Sequence, residues 1–217
     1  MSRPSEEKFD LLMVVADLDQ QEAMEGLLPR RQSLRTSSFR YKVTRLATTP
    51  GDSGTRTNGA EYLRNMQHTF FRAILLLDRH GAGADKTAEQ FEIELEERLK
   101  KYGLGDRTRC VAIDPEVEAW VWGGTAALEQ VITWTSPPSL QEWLVQNHWI
   151  SPGQPKPELP KEAFRDALRR VKKAPFAPLF RKIAGRMSFQ NCQDRAFNKL
   201  INTLRTWFPA SSPEVHP

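Results

Sequence analysis

Three short apolar runs in this chain each stop at an aspartate, and this pattern constrains the fold more than any other feature. Phe9 to Ala16 (FDLLMVVA) stops at Asp17, Phe71 to Leu77 at Asp78, and Arg109 to Ile113 at Asp114. Such runs have strand length, and their near-continuous apolar character suits strands covered on both faces. Helical patterns follow them. After Asp17, with Asp19 as N-cap, Gln20 to Leu28 has helix-forming composition and ends at Pro29. After Asp78 and a turn, Arg79-His80-Gly81-Ala82-Gly83, a helix is expected from about Lys86 to Tyr102, with Phe91, Leu95 and Leu99 four apart and Gly103 and Gly105 stopping it. Strands alternating with helices predict an α/β fold with a mostly parallel central sheet flanked by helices.

The remaining segments fill in that plan. Phe39 to Leu46 alternates Tyr41, Val43 and Arg45 against Lys42 and Thr44, as an edge strand with one wet face does. Thr48 to Gly59 is rich in Thr, Gly, Ser and Asp and reads as an exposed loop, with Asn58 capping a helix over residues 60–70. Helical spacing returns at Val117, Trp120, Val121 and Trp122, then from Leu128 to about Trp134, and from Leu140 to Trp149 behind a Ser139 cap. A proline-rich joint, Ser151 to Pro160, divides residues 1–150 from a helical extension over 151–217, in which Lys161 to Lys173 and Asp194 to Phe208 are basic amphipathic helices. Pro209 to Pro217 reads as a frayed end.

Composition removes several function classes. The longest apolar run is far below the roughly 20 residues that span a bilayer, so no membrane partner is expected. Met1 to Lys8 is polar and lacks a signal-peptide pattern, which predicts a cytoplasmic protein. Cys110 and Cys192 have no CxxC spacing and read as buried small apolar residues. Neither GxxxxGK[ST] nor GxGxxG follows an apolar run, and Asp52-Ser53-Gly54 lacks the context of a nucleophile elbow.

Charge is divided along the chain. Residues 151–208 hold 13 Lys or Arg against 4 Asp or Glu, whereas residues 1–150 hold 18 against 22. The densest basic run, Arg169, Arg170, Lys172 and Lys173, suits DNA or RNA phosphates, the acidic face of a partner protein, or a solvated helix face. The six tryptophans lie on helical stretches, where core packing is the expected role.

Parallel sheets carry their sites at the carboxyl ends of the strands. Here those ends gather acids: Asp17, Asp19 and Glu22 after the first strand, Asp78 after the third, and Asp114, Glu116 and Glu118 after the fourth. If these strands are neighbours, their carboxylates can hold a hard divalent cation such as Mg2+. The bland alternative is that each acid caps a helix or turn. Asp17, Asp78 and Glu116 are the candidate catalytic residues, and His80 is a candidate ligand or base, or a solvent-exposed loop histidine.

The segments VVADLDQQEAMEGLL, AILLLDRHGAG and VAIDPEVEAWVW resemble a family of small bacterial proteins from methylation-associated phage-defence systems, and more distantly the Toprim-like proteins of defence loci. The resemblance covers residues 9 to about 150, and Asp114 to Trp120 is its most specific piece. It implies a Toprim-like sheet binding magnesium for phosphodiester chemistry, with other proteins of the same defence system as partners. The chain departs from that pattern twice. Asp17 stands where a catalytic Toprim has Glu, with Glu22 further on, and Asp78-Arg79-His80 stands where it has Asp-x-Asp. Two readings follow: a metal-dependent nuclease of an antiviral system, or a non-catalytic adaptor that docks other defence proteins or nucleic acid.

Overall fold

A computed structural model describes residues 9–83, 85–189 and 194–210. Strand β1 (Phe9–Val15) leads into α1 (Leu18–Leu27) and the short α2 (Arg31–Leu34), then β2 (Tyr41–Arg45) into α3 (Asp52–Asn65). Strand β3 (Phe70–Asp78) leads into α4 (Ala88–Lys101), and β4 (Thr108–Ile113) into α5 (Glu118–Val121), α6 (Thr125–Ile132) and α7 (Leu140–Gln146). Helices α8 (Pro160–Arg170), α9 (Pro178–Ala184) and α10 (Arg195–Trp207) follow. The strands form one all-parallel sheet in the order β2-β1-β3-β4, so the fold is α/β, as the alternation of runs predicts.

Both faces of the sheet are covered, which explains why β1 and β3 lack polar alternation. Leu11, Met13 and Val15 of β1 pack with Met24 and Leu27 of α1 on one face. Leu12 and Val14 pack with Leu63 of α3 and with Phe91, Leu95 and Leu99 of α4 on the other. The β1-to-β2 connection crosses the first face, whereas the two later crossovers use the second. The chain direction across the sheet therefore reverses between β1 and β3, and that crevice is where ligands of open α/β sheets bind.

Helices α8, α9 and α10 complete the first face. Phe164, Phe180, Ile183, Phe197 and Leu204 belong to the same apolar core as Met24 and Leu27. Helix α9 lies directly on α1, and Gly26 permits the contact: a Cβ there would sit 2.3 Å from the carbonyl oxygen of Arg181. Indole N–H groups tie the later helices in place, with Trp120 donating to Asp194 and Trp122 to the carbonyl of Pro160, both at 3.0 Å. Trp120, Trp122 and Trp143 are buried, and Trp134, Trp149 and Trp207 pack partly buried against the same core. Core packing, rather than base stacking, is their role.

The outer edge of β4 would expose unpaired N–H groups, a liability for any terminal strand. Two glutamates of α4 close it: Glu92 accepts from the N–H of Ala112 at 2.8 Å and Glu96 from that of Cys110 at 3.0 Å. Arg195 donates to Glu92 and to the carbonyl of Ala112, and Lys199 bridges Glu92 and Glu96. The buried Glu92 is thus paired twice and capped by backbone, the condition for a tolerable buried charge.

Several local expectations are corrected. The Thr/Gly/Ser-rich stretch 48–59 is not an open loop, because α3 begins at Asp52 and Asn58 lies inside it rather than at its cap. Helix α1 is capped by Asp17, not Asp19. Helix α9 lies where no helix was expected, and Arg45 of the edge strand is exposed, its Nε donating to Gln21 of α1. Trp134 and Trp149 lie just beyond the helices α6 and α7. Cys110 is buried as expected, while Cys192 falls outside the described residues. Among the described residues no helix is long and apolar enough to cross a membrane.

Replacing Glu92 with Ala leaves the Ala112 N–H, Arg195 and Lys199 without their shared acceptor, so urea unfolding is expected to show a loss of about 2–3 kcal/mol. A loss below about 0.5 kcal/mol, the scale of an ordinary surface substitution, would contradict this account of the β4 edge.

Candidate metal centre

Strand register makes the site. Val15 of β1 pairs with Leu76 of β3, so two residues further on Asp17 and Asp78 leave neighbouring strands at the same level. A third carboxylate arrives from the other face of the sheet, where Asp52 occupies the first turn of α3. The N–H of Gly51 donates to the carbonyl of Ala16 at 3.0 Å and fixes this turn to the end of β1. One carboxylate oxygen from each of Asp17, Asp52 and Asp78 lies within 4.8 Å of the others.

Amide donors orient all three groups. Gln20, fully buried, is the central bracket: its Oε1 accepts from the Ala16 N–H at 2.9 Å and its Nε2 donates to Asp52 Oδ1 at 3.2 Å. Its own backbone N–H donates to Asp17 Oδ1 at 2.8 Å, the N-cap bond of α1. Asp52 Oδ1 also accepts from the backbone N–H of Asp78 at 2.6 Å. Gly81 belongs to the same arrangement, because a Cβ there would lie 2.2 Å from Asp52 Oδ2. The Val117 N–H donates to the Asp78 carboxylate, yet Asp78 Oδ1 is buried with no hydrogen-bond partner among the described residues.

This is an electrostatically expensive arrangement. None of the three carboxylates has an ion-pair partner among the described residues. Burial pushes the Asp78 carboxyl well above the usual range, and the charges of Asp52, Asp17 and Glu118 push in the same direction. Asp52 is raised as well, first by burial and then by Asp17, against the opposing bond from the Asp78 N–H. Three carboxylates, one of them carrying an orphaned buried oxygen, fit a hard cation, which would satisfy that oxygen and relieve the repulsion together. The cluster can therefore hold a metal ion.

Of the seven ligands predicted from the sequence, Asp17 and Asp78 enter this cluster and five do not. Asp19 is partly buried next to Asp17, its pKa raised by burial and by the Asp17 charge, and lowered in part by Lys161 and Arg165. Glu22 pairs with Arg181 at 2.8 Å, and Asp114 with Arg79 at 2.8 Å. Glu116 and Glu118 share Lys161, at 3.2 and 3.4 Å. Lys161, 45 residues beyond Glu116, thus holds the predicted catalytic Glu116. His80 is exposed.

The basic run is also partly engaged. Arg169 pairs with Asp166, Arg170 donates to the carbonyl of Pro137 and lies over the ring of Trp134, and Lys173 donates to Val131 and Thr133. Lys172 is exposed in a left-handed backbone conformation, φ 54°.

Asp52 was not among the predicted ligands. A signal for it exists: Thr55, Gly59, Ala60 and Leu63, the buried residues of α3, follow a helical spacing of small side chains that places Asp52, three residues before Thr55, on the same face. Comparisons with protein-family models, with characterised proteins and with solved structures give no match.

Glu118 carries a measurable consequence. Burial first, then the Glu116 charge, raises its pKa to about 7, with Lys161 opposing. The unfolded chain releases this proton near the ordinary glutamate value, so between there and about pH 7 the native protein keeps a proton the unfolded chain has lost, and stability falls as the pH rises through that window. Glu118→Gln is expected to flatten that part of the stability profile, measured by urea unfolding across the window. A slope unchanged by the substitution would contradict the assignment.

Proposed function

We propose that this chain is a magnesium-dependent phosphodiesterase acting on nucleic acid, as a component of a bacterial antiviral defence system. The observation that carries the chemistry is the orphaned, buried Asp78 Oδ1 within a cluster of three carboxylates at adjacent strand ends. The defence setting is supported by the resemblance of the three strand-end segments described above. Magnesium is the ion of choice because the donors are all oxygen and few, which suits a cation that keeps several waters and shares its shell with substrate phosphates.

Asp17, Asp52 and Asp78 would hold the ion. When bound, it supplies charge stabilisation to a phosphoryl group and a more acidic water. The protein's own part is positional. Gln20 and the Asp78 N–H keep Asp52 turned into the cluster, and the Gln20 N–H keeps Asp17 there. The departure from Asp-x-Asp at residues 78–80 loses its force on this reading, since Asp52 supplies the third carboxylate from another element.

The alternative, a non-catalytic adaptor, is favoured by one observation: the two predicted acids after the fourth strand, Glu116 and Glu118, are both ion-paired with Lys161. Thermal unfolding with Mg2+ and Mn2+, combined with cleavage assays on DNA and RNA, separates the two. Metal is expected to raise the melting temperature of the wild type and to support cleavage. Asp78→Asn is expected to abolish both effects while raising the melting temperature of the metal-free protein above neutral pH by about 3 °C, of order 1 kcal/mol for a chain of this size. No metal response in the wild type would contradict the proposal, and a metal response without cleavage would favour the adaptor.

A further inference from the structure

A second charged feature lies at the other end of the molecule, independent of the metal centre. Helix α1 starts at Asp17 and runs back along the sheet for ten residues, about 15 Å. It delivers the chain to α2, beside the start of β1, where Arg40 pairs with Asp10. There Arg30, Gln32, Ser33 and Arg35 meet Phe189 and Arg205 around an open cavity of about 560 Å³. Three guanidinium groups from two distant parts of the sequence thus line one cavity, and among the described residues no carboxylate lines it.

What holds these arginines matters. Arg30 donates through one nitrogen to the carbonyls of Ala184 and Met187, both at 2.7 Å, and stacks 4.2 Å over the ring of Phe189. Arg205 donates through Nε to the carbonyl of Leu34 at 2.8 Å. Both are anchored by neutral acceptors, which fix their direction and leave their charge uncompensated among the described residues. Arg35, exposed at φ 57°, has no side-chain partner among the described residues. None of the three forms an ion pair among the described residues, and residues 190–193, which follow Phe189, carry no charged side chain. The remaining N–H donors of the guanidinium groups, with Gln32 and Ser33, offer planar forks to an anion, the geometry that phosphate oxygens accept in pairs.

We propose that the cavity lined by Arg30, Arg35 and Arg205 is a binding site for a phosphate group, borne by a free nucleotide or by a nucleic-acid strand. Preorganisation by backbone carbonyls reduces the entropy lost when the anion binds, and the site needs no metal. Because Asp17, Asp52 and Asp78 lie at the opposite strand ends, the two sites are separable by mutation.

The test is calorimetry on the full chain at low ionic strength with three probes: inorganic pyrophosphate, ATP, and a short single-stranded oligonucleotide, all without divalent metal. Binding is expected in the wild type, weakened about tenfold or more by Arg35→Gln and further by Arg35→Glu, and unchanged by Asp78→Asn. Arg35 is exposed and anchors nothing, so both variants should melt like the wild type. Pyrophosphate and ATP binding without the oligonucleotide assigns the site to a free nucleotide, and tighter binding of the oligonucleotide assigns it to a strand. Absence of binding by all three probes, or equal affinity in Arg35→Glu, would overturn the proposal.

Discussion

Parallel pairing of β1 with β3 sets two carboxylates side by side, and the amide groups at these strand ends are arranged around the repulsion this creates. Asp17 and Asp78 are fixed at one level by the register of the strands, and cannot separate unless the sheet slips. Asp52 then enters from the opposite face and adds a third charge instead of relieving the first two. The neighbourhood answers with amides: Gln20 and the backbone N–H groups of Gln20, Asp78 and Val117 donate to these carboxylates. Neutral donors orient the oxygens while leaving the charge available to a ligand. Such a cluster is what a cation site requires before the cation arrives, and it stores destabilisation in the metal-free protein.

The division of charge along the chain has a structural use. Each of four basic residues from the C-terminal helices meets an acid from the N-terminal part: Arg181 meets Glu22, Lys161 meets Glu116 and Glu118, Arg195 meets Glu89 and Glu92, and Lys199 meets Glu92 and Glu96. Much of the basic excess after residue 150 is therefore directed inward, holding the later helices against the sheet. By contrast, the triad at Asp17, Asp52 and Asp78 receives none of these cations. The absence of an ion-pair partner there among the described residues, in a chain with basic groups to spare, is what distinguishes the cluster from the paired acids around it.

The sheet was legible because each buried run stops at an aspartate, and branched apolar residues without alternation admit few other structures. Asp17 and Asp78 were legible as neighbouring strand-end acids for the same reason. Helix α3 was not, because its first turns are built from Thr, Gly and Ser, which have weak helix propensity. Size matters at Gly59, where a Cβ would come 3.0 Å from Leu75. Asp52 disappeared with it. Helix α9 was hidden behind Pro175 and Pro178 that open it, and Gly26, which gives it room, carries no signal in the sequence alone. Glu116 and Glu118 lie outside the triad because of a long-range fact: local spacing cannot reveal that Lys161 returns to pair with both.

The most direct test of the central claim is anomalous diffraction from crystals soaked in Mn2+. An anomalous peak bonded to oxygens of Asp17, Asp52 and Asp78, with Glu116 and Glu118 still paired to Lys161, is the result this account predicts. A peak held instead by Glu116, Glu118 or Asp114, or no peak at the cluster at saturating Mn2+, would contradict it.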